Sequence, residues 1–431
     1  MLLTIRHNEK ISRWLKESAF IFIFLVSLSS FIVYTCMYGF RKPYTVGLYQ
    51  DYFFLGISYK VCLVIAQVLG YMCSKFLGIR VIATMKPQNR IQYILYCILI
   101  AWFSLFLFAI IPAPYNILCL FLNGLPLGLI FGLVFGFLEG RTTTEILGAF
   151  LATSFIFASG LAKSVGKWLL ISCNVNEQWM PFLAGLLFIF PLLFALWILK
   201  QTPPPNVEDV SVRKLRSPMT KEDRKNFLNS FRSFIIPAVI SYAIFTIVRD
   251  FCEDFSNELW IETGYQNNAG IFVFTSSIMS IIVLIVIGSF FLIKKNSKAF
   301  KMTHFLIIGG ISVSLISTLL HHFQLISPVV WMIIATTGLY LSYLPFNCLY
   351  FERFLSTYSI KGNVGFVMYI ADAFGYLGTV LVLLIKEFIQ IKYSWVNFFS
   401  FLFITSAIIG VGLMFYTFYL HYNKIKKYSY E

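Results

Sequence analysis

Charge is scarce in this chain, and acidic charge is the scarcest. Its 431 residues include only 19 Asp and Glu, and the charged fraction is 12%. Soluble domains carry roughly twice that fraction. Because a soluble protein must cover a large part of its surface with polar groups, this composition excludes a soluble enzyme, a nucleic-acid module and a disordered protein.

Patterns that hold metals or cofactors are also missing. None of the eight Cys lies at CxxC spacing, and the five His show no metal-ligand spacing. No GxSxG, Walker or GxGxxG pattern occurs in a context that would give it a role. We therefore expect no metal, no cofactor and no enzymatic activity.

Long apolar runs are what the sequence has in abundance. Hydrophobic residues make up 58% of it, with 47 Phe, and the mean hydropathy is +0.78. Since a membrane-crossing helix needs about 20 apolar residues, the runs predict an all-α polytopic membrane protein with twelve transmembrane helices. The predicted spans are 18–49, 58–84, 91–112, 115–140, 145–171, 177–199, 233–257, 268–293, 302–321, 327–352, 363–386 and 394–420.

The net charge of +15 follows this predicted topology. An even number of spans places both termini on one side, and most of the 34 Lys and Arg fall on that side. The opposite side receives Lys60, Lys386 and Lys392. Because basic loops are retained in the cytoplasm, we expect both termini to be cytoplasmic. The basic excess thus indicates topology, and no nucleic-acid partner is expected.

A polar stretch divides the chain into two sets of six spans. It predicts an N-terminal half at 1–200, a cytoplasmic linker at 201–232 and a C-terminal half at 233–431. Spans four and ten both end in Glu and Arg, and spans one and seven carry Arg41 and Arg249 at similar places. These similarities favour a duplicated, 6+6 pseudo-symmetric transporter fold with a binding site between its halves.

Charge inside a span needs a physical reason, since a centred Arg or Lys costs about 2.5–3.5 kcal/mol on insertion scales. Arg41 has two interpretations. It snorkels to the interface at the end of a short first span, or it lies in a cavity because span one continues as a helix to about Tyr49. Tyr34 and Tyr38 favour the cavity, because they precede Arg41 by seven and three residues and share its helical face. Two phenols and a guanidinium on one face indicate an anion-binding surface.

Spans two and five carry further basic residues. Lys75 follows Tyr71 by four residues, so the two share a face of span two. Lys75 either belongs to the binding surface or marks the cytoplasmic end of the span. Lys163 and Lys167 are four residues apart and place two ammonium groups on one face of span five.

Acidic residues cluster in span seven and one stands alone in span eleven. Arg249 and Glu253 are four residues apart and can pair along one face, while Asp250 and Asp254 lie on an adjacent face. These charges either mark the external end of the span or line an aqueous pathway. The sequence leaves three roles open for Asp372. It is a proton site, the partner of a basic residue such as Lys163, or a packing residue held by a hydrogen bond. We hypothesise that coupling uses Asp372 and Glu253, with an anionic substrate displacing Glu253 from Arg249.

Several short strings make the chain similar to a known group of proteins. They are Tyr38-Gly-Phe-Arg-Lys-Pro-Tyr44, Phe121-Leu-Asn-Gly-Leu-Pro-Leu-Gly128, Phe137-Leu-Glu-Gly-Arg141, Tyr343-Leu-Pro-Phe-Asn347 and Ala371-Asp-Ala-Phe-Gly-Tyr-Leu-Gly378. Over nearly its whole length the chain resembles an uncharacterised bacterial membrane family, a domain-of-unknown-function group near the major facilitator superfamily. This resemblance implies the major facilitator fold and brings no known substrate.

More distantly, the chain resembles the organophosphate:phosphate antiporters of the same superfamily. The match rests on the tyrosine stripe followed by Arg41-Lys42, on the string Tyr71-x-x-Ser-Lys-Phe76 and on Arg249. The resemblance implies a two-arginine clamp for a phosphate group, with Lys75 assisting.

The chain departs from the antiporter pattern at two places. Lys163 and Lys167 stand in the span where the antiporters have a His, and the loop 78–90 lacks the usual acidic residue. These departures bear on the identity of the substrate.

The sequence therefore predicts a transporter of a small organic anion, an organophosphate on the antiporter resemblance, in a bacterial inner membrane. It would work as a monomer within the lipid bilayer, by alternating access with phosphate exchange or proton coupling. The alternative is a non-transporting membrane sensor or assembly factor on the same scaffold, with the loop 201–232 as its output surface. The predicted substrate-binding residues are Arg41, Arg249, Tyr34, Tyr38, Tyr71, Lys75 and Lys163.

Overall fold

The structure is a computed structural model, and it describes residues 8–50, 52–85, 87–139, 141, 143–204, 209, 221–358, 364–388 and 394–428. Within the predicted linker, residues 205–208 and 210–220 lie outside this description. The described residues are mainly helical, which confirms the predicted all-α class. A short antiparallel hairpin joins β1 (Phe53–Phe54) to β2 (Ile57–Ser58).

Helices follow one another with short connections. They are α1 (Glu9–Glu17), α2 (Ala19–Gly39), α3 (Tyr59–Thr84), α4 (Arg90–Ile110), α5 (Ile117–Leu138), α6 (Thr144–Ile171), α7 (Met180–Lys200), α8 (Lys221–Asp254), α9 (Ser256–Glu262), α10 (Ile271–Ser289), α11 (Asn296–His322), α12 (Pro328–Pro345), α13 (Phe351–Thr357), α14 (Val364–Phe388) and α15 (Trp395–Tyr428). Short 3₁₀ turns cover Pro43–Val46, Pro87–Asn89 and Phe290–Leu292, and a π-helical turn covers Phe346–Tyr350.

Eleven helices within the described residues are long and apolar enough to cross a membrane. They coincide with eleven of the twelve predicted spans. The remaining predicted span, 363–386, corresponds to α14, a helix of 25 residues.

The first span ends earlier than the sequence suggested. We expected its helix to continue to about Tyr49, but α2 ends at Gly39 and a turn leads into the 3₁₀ turn that begins at Pro43. The expectation was wrong because a helical Pro43 would lack an N–H donor and its ring would clash with the carbonyl of Gly39. Arg41 therefore lies in a turn, where it is nevertheless buried.

Side chains from α3 and α5 satisfy the backbone of this buried turn. The Gln67 amide donates to the carbonyl of Arg41 at 3.0 Å and to the Asn123 side-chain oxygen at 2.8 Å. The Asn123 amide donates to the carbonyls of Phe40 and Ala101, each at 3.0 Å. Buried backbone carbonyls need such partners, because water does not reach them.

The chain forms two compact units, here called unit 1 (Met1–Arg213 with Tyr265–Ser280) and unit 2 (Lys214–Gly264 with Ile281–Glu431). The predicted division at 1–200, 201–232 and 233–431 stays a prediction.

Close helix packing builds the core of each unit. In unit 1, α3 meets α5 at Gly70 and Gly124, where an added Cβ would overlap a backbone carbonyl oxygen of the facing helix. In unit 2, α14 meets α8 at Gly375, where an added Cβ would lie 2.8 Å from the Thr246 side chain. Also in unit 2, Pro345 precedes the π-helical turn, an irregularity that recurs at functional sites.

Candidate functional site

Three predicted tyrosines surround Arg41 in unit 1. The guanidinium carbon of Arg41 lies 3.9 Å from the ring centroid of Tyr71 and 5.6 Å from that of Tyr38. The hydroxyl of Tyr34 lies 3.4 Å from that of Tyr71. All four side chains are buried. The structure thus brings together the predicted stripe of span one and the predicted tyrosine of span two, although Arg41 stands in a turn.

The two predicted lysines have different surroundings. The Lys75 ammonium lies 5.4 Å from the ring centroid of Tyr71 and 5.8 Å from that of Phe131, at the edge of the tyrosine group. Lys163 is buried on α6, with its ammonium 5.6 Å from the ring centroid of Phe272. Lys75 therefore shares Tyr71 with Arg41, and Lys163 faces the start of α10.

Buried charge has opposite sign in the two units. Among the side chains that the structure describes, five of the six buried charged residues of unit 1 are basic, and four of the six in unit 2 are acidic. Unit 1 contributes Arg41, Lys42, Lys60, Lys163, Lys167 and Asp209, and unit 2 contributes Arg249, Arg353, Asp250, Glu253, Asp254 and Asp372.

Arg249 in unit 2 is held by its own helix and by α12. Its Nη2 lies 2.5 Å from Asp250 Oδ1, and its Nη1 donates to the hydroxyl of Tyr343 at 2.6 Å. The predicted contact with Glu253 is longer, at 4.0 Å from Nε to Oε1. Helical spacing predicted a pair with Glu253, because residues four apart share one face of a helix. The long Arg249 side chain instead turns toward Asp250, the next residue in the chain. The hydroxyl of Thr379 on α14 donates to the other Asp250 oxygen at 2.8 Å.

The two predicted coupling residues accept hydrogen bonds from tyrosines. Tyr340 donates to Glu253 Oε1 at 3.1 Å, and Tyr242 donates to Asp372 Oδ1 at 2.5 Å. Both carboxylates are buried. A hydrogen bond to Asp372 was one of the three interpretations that the sequence left open. The role of Asp372 in coupling stays a prediction.

Sequence reasoning missed several polar residues of these two groups. Tyr242 precedes Arg249 by seven residues, as Tyr34 precedes Arg41, and this shared spacing was the available signal. Other missed residues are Gln67, Asn123, Tyr340, Tyr343, Asn347 and Thr379. Some of them are visible in the sequence as single polar residues within apolar helices. Their hydrogen-bond partners lie on other helices, so no sequence spacing connects the two members of a pair.

The roles assigned from the sequence stay predictions. Arg41 and Arg249 belong to different units, and their joint binding of one anion is an inference from the sequence. Locally, the Arg41 group offers a guanidinium among aromatic faces, a setting that suits an oxyanion. In the other group, the Arg249 guanidinium forms an ion pair with Asp250.

The fold is that of major-facilitator-type membrane transporters. A D-xylose–proton symporter matches with a TM-score of 0.61 at 14% identity, covering 92% of this chain and 96% of the other. The nucleoside transporter NupG matches with a TM-score of 0.59 at 15% identity, covering 93% and 98%. The human organic anion transporter MFSD10 matches with a TM-score of 0.53 at 14% identity, covering 92% and 97%. At these identities the likeness establishes the fold alone.

The chain belongs to DUF5690, a family of unknown function whose model matches residues 43–424. No curated protein matches the sequence. The resemblance to an uncharacterised, major-facilitator-like membrane family is thereby confirmed.

Proposed function

We propose that this protein is a secondary transporter of small organic anions. It would work as a monomer by alternating access in a bacterial inner membrane. The observation that carries the proposal is the burial of Arg41 beside Tyr38 and Tyr71 in the turn that follows α2 in unit 1. A guanidinium keeps its charge when it is buried, and ionisable groups inside membrane proteins commonly mark a transport pathway.

The buried charge of unit 1 supports the proposed anionic class. Four lysines accompany Arg41 among its buried side chains, and Lys75 lies beside Tyr71. An excess of one sign raises the local concentration of ligands of the opposite sign. Arg donates two parallel hydrogen bonds to a carboxylate or phosphate, which an ammonium cannot do. An organophosphate is the narrower proposal, and its support is the antiporter resemblance of the sequence.

The structural neighbours support transport as the activity of this protein. They are a D-xylose–proton symporter, a nucleoside transporter and an organic anion transporter. The third of these agrees with the proposed substrate class. For coupling we propose proton movement through the buried carboxylates of unit 2, or exchange against phosphate.

Counterflow into proteoliposomes tests the proposal. Purified protein would be reconstituted with trapped phosphate or organic acid, and uptake of labelled organophosphates, carboxylates and sugars would be compared. We expect exchange of at least one anion and none of the neutral sugars. Exchange of neutral sugars alone would contradict the anionic class, and no transport by protein that remains folded would contradict transport of the tested classes.

A further inference from the structure

A chain of hydrogen bonds in unit 2 links Arg249 to Asp372. Arg249 Nη1 donates to the Tyr343 hydroxyl at 2.6 Å, the hydroxyls of Tyr343 and Tyr242 lie 3.2 Å apart, and Tyr242 donates to Asp372 Oδ1 at 2.5 Å. The two phenol rings stack with centroids 5.2 Å apart. Three helices, α8, α12 and α14, contribute to this chain.

The direction of donation along the chain follows from chemistry. A guanidinium has only donors, so the Tyr343 oxygen accepts from Arg249 and its hydrogen is available to the Tyr242 oxygen. Tyr242 then donates its own hydrogen to Asp372. This order of donors holds when Asp372 is ionised, because an ionised carboxylate is acceptor-only.

A second acceptor lies within reach of Tyr242. The side-chain oxygen of Asn347 is 3.3 Å from the Tyr242 hydroxyl. Asn347 belongs to the π-helical turn Phe346–Tyr350, which directly follows α12. Its Nδ2 has no hydrogen-bond partner among the described residues. Asn347 thus offers Tyr242 a longer, alternative acceptor on a different helix from Asp372.

We propose that Tyr242 is a positioning residue that switches its hydrogen bond between Asp372 and Asn347 when Asp372 gains a proton. With Asp372 ionised, Tyr242 donates to α14. When one proton is added, the Asp372 carboxyl donates to the Tyr242 oxygen, and the Tyr242 hydrogen turns to Asn347. No other bond breaks, and the added proton stays on Asp372. This inference rests on the proton-coupled form of the proposed function.

The switch would connect proton occupancy to the geometry of α12. Protonation of Asp372 reverses the direction of the bond between α14 and α8 and directs the Tyr242 hydrogen on α8 to the π-helical turn. Since π turns and the preceding Pro345 are places where a helix deforms, a bond gained or lost there affects the bend of this span.

Other titratable and charged groups surround the switch. From α8 they are Arg249, Asp250 and Glu253, from α12 Tyr343, and from α14 Tyr376. Arg249 and Asp250 form a contact ion pair, so their charges offset each other locally. Protonation of Asp372 therefore changes the net charge of the group.

Infrared difference spectroscopy of the full-length protein in lipid bilayers tests the switch without any substrate. A carboxylic-acid band that is absent in Asp372→Asn, or that shifts in protein made with isotopically labelled aspartate, reports protonation of Asp372. Its pH midpoint would be compared in wild type, Tyr242→Phe and Asn347→Leu. Tyr416→Phe is the matched control, because Tyr416 is exposed on α15 in the same unit.

The two variants should move the midpoint in opposite directions. Tyr242→Phe removes a bond to the ionised form, so the midpoint should rise by about one to two pH units. Asn347→Leu removes the acceptor used in the protonated form, so the midpoint should fall. A purely structural role predicts no such opposition, and Tyr416→Phe should match wild type.

Three results would overturn the switch. They are equal midpoints in wild type and Tyr242→Phe, shifts of both variants in one direction, and the lack of any Asp372-dependent band. These results are independent of the transport assay, since no substrate is present. A failure of counterflow alone would contradict the proposed transport activity and leave the spectroscopic result standing.

Discussion

Arg41 and Tyr71 form a cation–π contact that joins the end of α2 to α3, with 3.9 Å between the guanidinium carbon and the ring centroid. Desolvated contacts of this kind are worth about 2 kcal/mol. Tyr71 also approaches the Tyr34 hydroxyl at 3.4 Å. We infer that the aromatic face of Tyr71 fixes the orientation of the Arg41 guanidinium.

Arg41→Lys should weaken substrate binding. An ammonium cannot donate two parallel hydrogen bonds, and losing one charge-assisted bond costs about 1.5–3 kcal/mol. The apparent affinity in counterflow measures the effect, and Arg249→Lys should act in the same direction if both arginines bind the anion. Arg232→Lys, at an exposed position of α8, is the matched control. Unchanged affinity in Arg41→Lys would exclude Arg41 from the binding surface.

Gly124→Ala should destabilise unit 1. A methyl group there would overlap the carbonyl oxygen of Gln67 and push α3 away from α5. Overpacking of this kind costs about 1–3 kcal/mol. Gly412→Ala is the control, because an added Cβ at Gly412 meets no atom within 4 Å. Thermal unfolding in detergent should show a lower midpoint for Gly124→Ala alone, and equal midpoints would refute the packing argument.

The fold could be predicted from the sequence because long apolar runs specify membrane helices. Such runs located the eleven spanning helices without any tertiary information. The end of α2 was misplaced because the helical spacing of Tyr34, Tyr38 and Arg41 outweighed the signal of Pro43. That proline sits two residues after Arg41, and helices seldom continue through it.

The candidate site could be predicted from the sequence only in part. Residues that share one helix, such as Tyr38 with Arg41, were grouped correctly by spacing. Partners on different helices, such as Tyr242 with Asp372, were not, because one sequence without contacts does not show which faces meet. Adjacent residues are a further case: the ion pair of Arg249 with Asp250 depends on a side-chain rotamer, which spacing does not encode.

Asn123→Ala should destabilise the turn that carries Arg41. The carbonyls of Phe40 and Ala101 would lose their donor, and each buried unsatisfied group costs about 1–3 kcal/mol. We expect a lower unfolding midpoint together with weaker anion binding, since the turn positions Arg41. Asn397→Ala, at an exposed position of α15, should change neither. Normal stability and affinity in Asn123→Ala would show that the turn does not need these bonds.

Both termini and the loop 201–232 should face the cytoplasm. The reason is the concentration of Lys and Arg on that side of the predicted spans. Reporter fusions near positions 51, 210 and 431 measure the orientation, and only position 51 should give an external signal. An external signal at 210 or 431 would refute the predicted topology.

Asp250→Asn should destabilise unit 2 more than Glu253→Gln does. Asp250 contacts the Arg249 guanidinium at 2.5 Å and Glu253 lies at 4.0 Å, so Asp250 contributes more of the compensation for the buried charge. Removing one partner of a buried ion pair costs about 3–5 kcal/mol, because the remaining charge lacks hydration. In Glu253→Gln the side-chain oxygen still accepts from Tyr340, so less is lost.

The double variant Arg249→Met/Asp250→Leu distinguishes the effect of an unpaired charge on stability from the effect of altered packing. Replacing both ions with apolar side chains of similar size removes the Arg249–Asp250 pair as a whole, and such exchanges are often neutral for stability. We therefore expect the double variant to unfold at a higher temperature than Asp250→Asn while losing anion transport. If Asp250→Asn and Glu253→Gln lower the unfolding midpoint equally, the two carboxylates share the guanidinium. If the double variant is no more stable than Asp250→Asn, the loss comes from packing around Asp250 and not from the unpaired charge of Arg249.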